Sequence, residues 1–123
     1  MKTLREYINE LKKTCKDELL NMYKEKLSKE INIPDKVIDE LITILKAMSN
    51  PIRLKIIYLL NQTEMPVCLI TSILGIDQTL ASHHLSILKD AGIVGVKTAG
   101  KFRIYHLKKK GILDTLEKLL LRE

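Results

Sequence analysis

The apolar residues of this chain keep a spacing of three and four up to about Asp90, and beyond Ala91-Gly92 they alternate. The first rhythm belongs to helices and the second to strands. A chain with this one switch near its C-terminal end folds as a set of helices followed by a hairpin. Ile93–Lys97 reads as a strand, Thr98-Ala99-Gly100 as a turn and Lys101–Leu107 as the returning strand.

Upstream, Thr3 and Glu6 have the spacing of a capping box. They predict a first helix of about five or six turns, with Ile8, Leu11, Cys15, Leu19, Met22, Tyr23 and Leu27 on its apolar stripe. Pro34 opens a second helix, expected to turn Val37, Ile38, Leu41, Ile44, Leu45 and Met48 inward. Ser49-Asn50-Pro51 breaks it and starts a third, apolar over much of its circumference from Ile52 to Leu60. Such a helix belongs at the centre of a core. A short helix over about Val67–Leu74 ends at Gly75, and Asp77 caps the next, which runs to about Asp90. A last helix from about Gly111 sets Leu113, Leu116 and Leu120 on one face.

Length and composition narrow the function. A chain of 123 residues suits one domain and leaves no room for a separate catalytic one. No apolar run reaches the roughly 18 residues of a membrane span. The charged N-terminus has no apolar core of a signal peptide. Two cysteines, Cys15 and Cys68, are too few for a disulfide framework. The expected compartment is the cytoplasm. Residues 78–110 carry seven basic residues against one acidic and so account for the whole net charge of +6. A positive segment of this kind suits a polyanion, either nucleic acid or an anionic membrane, or is a solvated lysine-rich face.

ITSILGIDQTLASHHLSILKDAGIV, residues 70–94, holds the parts of a helix-turn-helix: short helix, glycine turn, second helix. The second helix offers Gln78, Thr79, Ser82 and His83 near its N-terminal end, the end that enters the major groove in this motif. Gln pairs with adenine through two hydrogen bonds, Ser and Thr are permissive, and His reaches base acceptors or phosphate. The hairpin behind it carries Lys97, Lys101 and Arg103, cations for the minor groove and the backbone.

Taken in order, LKAMSNPIRLKIIYLL, LGIDQTLASHHLSILKDAGIV and VKTAGKFRIYHL resemble the ArsR/SmtB family of winged-helix repressors, over roughly residues 35–120. The resemblance implies a symmetric dimer with N- and C-terminal helices at the interface, bound to operator DNA. It also implies release by a metal ion or thiol oxidant in many members. The family's helix-start metal box, E-L-C-V-C-D-L, here reads Glu64-Met65-Pro66-Val67-Cys68-Leu69-Ile70, and Cys68 alone survives. The site on the last helix has no counterpart in Lys108-Lys109-Lys110-Gly111. A zinc sensor of either kind is therefore not expected. Some members add a cysteine from the N-terminal helix, which makes Cys15 and Cys68 the candidate sensor of a soft metal ion or an oxidant. Cys15 also reads as an ordinary interface residue, since it lies on the apolar stripe.

The same residues carry other readings. His83 and His84 point about 100° apart on a helix and cannot readily chelate one ion, so His84 reads as packing or a cap. His106 reads as structural. No phosphate loop, H-E-x-x-H or supported Ser/His/Asp set suggests an enzyme. A winged helix that only binds protein is the remaining alternative. The expectation is a mainly α winged helix-turn-helix with a two-stranded wing, a single domain over 1–123 and no cofactor. Residues 1–33 and 111–123 form dimerisation helices around a 34–110 DNA-binding core, with the interface built from residues 3–28 and 111–121. It acts as a homodimeric, sequence-specific repressor on a pseudo-palindromic operator.

Overall fold

A computed structural model describes residues 1–121. It divides into two compact units, residues 1–37 and residues from 38 on, and each is described by itself.

In the first unit, Thr3 caps α1 (Leu4–Asn9) in the expected box: Thr3 Oγ1 accepts from the Glu6 N–H at 3.3 Å, and Glu6 Oε1 accepts from the Thr3 N–H at 3.4 Å. The single long helix does not form. The chain breaks after Asn9 and resumes as α2 (Lys13–Met22) behind an extended Lys12. It then returns, so that Thr3 pairs with Glu30 and the Leu4 and Arg5 N–H groups donate to the Lys29 and Leu27 carbonyls. Ile8 and Leu27 are the buried apolar residues of this stretch. On one straight helix they would lie ~28 Å apart, far beyond a shared core. The break lets both leave water.

The second unit opens in α3 (Asp35–Met48) and continues through α4 (Pro51–Gln62), β1 (Met65–Pro66), α5 (Val67–Leu74), α6 (Gln78–Asp90), β2 (Val94–Ala99), β3 (Phe102–Leu107) and α7 (Ile112–Glu117). Asn50 starts α4: its side-chain oxygen accepts from the Ile52 and Arg53 N–H groups at 2.9 and 3.1 Å, and Pro51 fills the first turn where no N–H is needed. Ile56, Ile57, Ile70, Leu85, Leu88 and Ile93 are fully buried, drawn from α4, α5, α6 and the approach to β2. Each such side chain contributes roughly 1.5–3 kcal/mol relative to exposure.

The alternation after Gly92 has the expected result. Val94 and Val96 pair with Leu107 and Tyr105 on the core face, while Gly95 and Lys97 pair with His106 and Ile104 on the other. The turn lies one step later than the sequence suggests. Ala99 and Phe102 close the ladder, and Gly100 (φ 61°) and Lys101 make a two-residue loop. Glycine is required there because the first loop position of such a hairpin has positive φ.

Two features depart from the sequence reading. Met65-Pro66 is a strand, paired with Tyr105 and Ile104 at the edge of a β1-β3-β2 sheet. Two residues are too few to leave a period. The proline's missing N–H is tolerated at an edge. The second departure is the expected inward stripe of the second helix. Val37, Ile38, Leu41 and Leu45 are 38–51% exposed, and α3 joins the core only through Ile44, Ala47 and Met48 near its end. Periodicity shows that a helix has an apolar face but not what covers it. On α7, Leu113 and Leu116 do join the core, Tyr58 on α4 donates to Glu117 at 2.7 Å, and Leu119, Leu120 and Leu121 stand in solvent.

Candidate nucleic-acid interface

Asp77 sets where α6 begins, its carboxylate accepting from the Leu80 N–H at 2.7 Å. Gly75 ends α5 at φ 67°, the left-handed conformation that stops a helix without strain. The helix-turn-helix therefore lies where the sequence places it. Ala81, His84, Leu85 and Leu88 bury one face of α6. Gln78, Thr79, Ser82 and His83 all lie on the exposed face, so the structure brings the four predicted readers together.

The wing cations do not stay together. Arg103 lies on the same sheet face as Tyr105, its guanidinium 5.9 Å from that ring's centre. It closes a notch against α6 that is also lined by Ser82, Ser86 and Lys89. These three recur at one helical face, i, i+4 and i+7. Two cations and two hydroxyls around one cleft suit a phosphate group. Ser86 and Lys89 escape a reading that stops at the helix N-terminus, although stepping on from Ser82 by four and seven would have found them. Lys101 stands at the loop tip, 5.4 Å from the centre of the Phe102 ring. Lys97 faces the other side of the sheet and pairs with Glu64 at 2.9 Å. The β1–β3 ladder is what carries Glu64 to it.

The histidines divide likewise. His83 is exposed, and its ring meets that of His84 edge-on at 5.4 Å between centres. His84 is 6% exposed, with its Nδ1 3.0 Å from Arg53 Nη1. Burial first, then the charges of Arg53 and His83, hold His84 below the ordinary imidazole value. His106 lies across Gly95, where an added Cβ would come within 2.7 Å of the ring, so any other residue at 95 would have to push the histidine aside. Cys15 and Cys68 are both free and exposed, Cys68 in the first turn of α5. Among the described residues, no three His, Cys, Asp or Glu side chains converge to hold a metal ion, and no helix is long and apolar enough to cross a membrane.

Residues 50–96, which span α4, the helix-turn-helix and the first part of the wing, match the model of the bacterial regulatory protein, arsR family. A cadmium resistance transcriptional regulatory protein CadC homolog from Staphylococcus aureus is 35% identical over 81 residues, covering 65% of this chain and 67% of that protein. The chain belongs to the ArsR family. The transcriptional repressor SdpR of Bacillus subtilis is 34% identical over 77 residues, covering 63% of this chain and 86% of SdpR. Among solved structures, a homodimeric winged helix-turn-helix DNA-binding domain from Mycobacterium bovis, a possible ArsR-family transcriptional regulator, superposes with a TM-score of 0.64 at 27% identity. It covers 76% of this chain and 88% of that one. This ArsR-family chain is thus a winged helix-turn-helix transcriptional regulator, as the sequence resemblance implies.

The two wing faces are separable by salt titration on duplex DNA. Arg103→Ala and Lys89→Ala are each expected to lower the magnitude of the salt slope by about 0.9 on every duplex. Lys97→Ala, which removes a partner of Glu64, is expected to leave the slope nearly unchanged. A larger change for Lys97 than for Arg103 would place the other face of the wing against DNA.

Proposed function

We propose that this chain represses transcription in the cytoplasm by binding a pseudo-palindromic duplex operator as a homodimer. One observation carries the reading. The polar row Gln78, Thr79, Ser82 and His83 faces solvent on a helix whose opposite face is locked into the core, beside a cationic notch. In this assignment Gln78 reads an adenine edge, Thr79, Ser82 and His83 contact bases or phosphate, and Lys89, Lys101 and Arg103 hold the backbone. The DNA-binding domain from Mycobacterium bovis and the SdpR repressor support it by likeness. No catalytic step is involved. Gln78→Ala is expected to cost about 1–3 kcal/mol on an operator selected from random duplexes and little on random DNA. An equal loss on both would make Gln78 a backbone contact. Binding to no duplex, with no salt dependence, would favour a winged helix that docks protein alone.

The homodimer part of the proposal rests on the bare apolar side of α3. Ile38, Leu41, Ile42 and Leu45 are all exposed, as are Leu119, Leu120 and Leu121 beyond α7. A second copy is the occupant that the homodimeric relative suggests. Its two recognition helices would lie about 34 Å apart on successive major grooves. Sedimentation at micromolar concentration is expected to give a dimer, and the double variant Leu41→Glu, Leu45→Glu a folded monomer that binds operator weakly. A dimer surviving that variant would move the interface off α3.

For an effector we propose the two thiols, each exposed and so open to a soft cation or an oxidant. The CadC homolog's name points to cadmium for that protein. Operator affinity is expected to fall when the wild type meets Cd²⁺ or a thiol oxidant, and to be protected by Cys15→Ser or Cys68→Ser. Undiminished affinity of the wild type under both treatments would leave the thiols without a sensing role.

A further inference from the structure

Arg53 occupies the third position of α4, where a positive charge opposes the helix dipole. Its place is explained by what it holds. Nε donates to the Ala47 carbonyl, Nη2 donates to the Lys46 carbonyl at 3.3 Å, and Nη1 lies 3.0 Å from His84 Nδ1. One half-buried guanidinium thus joins the end of α3, the start of α4 and the middle of α6. We propose that Arg53 and His84 form a latch that fixes the angle at which the recognition helix is presented to DNA, and that a proton on His84 opens it.

A guanidinium has five N–H donors and no acceptor, so the contact exists only while Nδ1 is bare and the ring proton sits on Nε2. A protonated His84 would turn an acceptor into a second cation at the same 3.0 Å. The charged groups acting on His84 are Arg53 from α4 and His83 from α6 itself. Of the other elements packed against α6, α5 carries only the exposed Cys68 as a titratable residue, and the one cation of β2, Lys97, pairs with Glu64. Among the described residues, the ion pairs are Lys2–Glu10 and Lys97–Glu64, and neither touches the latch. His84 lies one residue from His83 and two from Ser82 and its notch, on the buried side of the same helix. A shift of the ring or of Arg53 therefore moves the base-reading row as a body.

The direction with pH follows. Burial and Arg53 lower the imidazole's pKa, so the neutral form belongs to the closed latch. The contact is complete above the ordinary imidazole range and is lost as pH falls through the lowered value. A variant that changes His84 alone isolates its part in any pH dependence of DNA binding.

His84→Asn does so. The Asn Oδ1 occupies the place of Nδ1, accepts from Arg53 and takes up no proton. The inference rests on the DNA-binding reading, so two readouts are needed. In anisotropy titrations on the selected operator, wild type is expected to weaken about ten-fold relative to His84→Asn as the pH is lowered from neutral through the titration of His84. His84→Ala is expected to bind at the higher pH as wild type does at the lower. Identical pH profiles for wild type and His84→Asn would overturn the latch, as would His84→Ala binding like wild type. The second readout is nitrogen-15 NMR of the free protein. It is expected to show a bare Nδ1 at neutral pH and movement of the α6 amide resonances as His84 titrates. Amides that stay still through that titration would overturn the latch. If wild type bound no duplex at neutral pH, the DNA reading would fail, and the NMR titration would still decide the latch.

Discussion

Ile56 and Ile57 are neighbours on α4, about 100° apart around its axis, and neither touches solvent. A helix can bury two adjacent residues completely only if other elements wrap a wide arc of it. Here α5, α6 and β3 all pack against it. That burial locks the inner face of α6, and the locked inner face is what leaves Gln78, Thr79, Ser82 and His83 facing outward. Asn50 and Pro51 matter for the same reason. By setting where α4 starts, they set which of its residues turn toward α6, Arg53 among them.

Electrostatics is arranged on top of this packing. The positive segment is not spread evenly. Arg103 and Lys89 share a notch with two serines, Lys101 sits at the hairpin tip, and Lys97 is drawn to Glu64 on the opposite face. Only the first group combines cations with hydroxyl donors in one concave place, the arrangement a phosphate needs. The exposed pair of Lys97 and Glu64 contributes little to stability. Its consequence is positional, since it holds a cation away from α6.

The uncovered apolar face of α3 is the counterpart of the covered one on α4. A row of exposed Ile and Leu side chains costs solubility in a monomer, and burying it against a like surface removes that cost. The same helix ends in the carbonyls that Arg53 grips. The proposed dimer face and the proposed latch are therefore neighbours along one segment of chain.

The sequence by itself determined the elements governed by short-range physics. The capping box of Thr3 and Glu6, the caps at Asn50 and Asp77, the stop at Gly75 and the switch to alternation after Gly92 each involve residues within one turn or one strand. The helix-turn-helix and its four polar residues were legible for that reason. Tertiary structure decided whatever depends on partners distant in the chain. Met65 meets Tyr105 forty positions away, and this pairing makes a strand from two residues and assigns Glu64 to Lys97. Arg53 reaches His84 across |i−j| = 31, a contact that no spacing rule announces. The first long helix does not form: the chain turns back, Leu4 and Arg5 bond the Lys29 and Leu27 carbonyls, and Ile8 and Leu27 are each buried in the folded stretch. An apolar stripe specifies that a face seeks cover; the rest of the fold decides whether α4 receives it from within the chain or α3 is left to find it elsewhere.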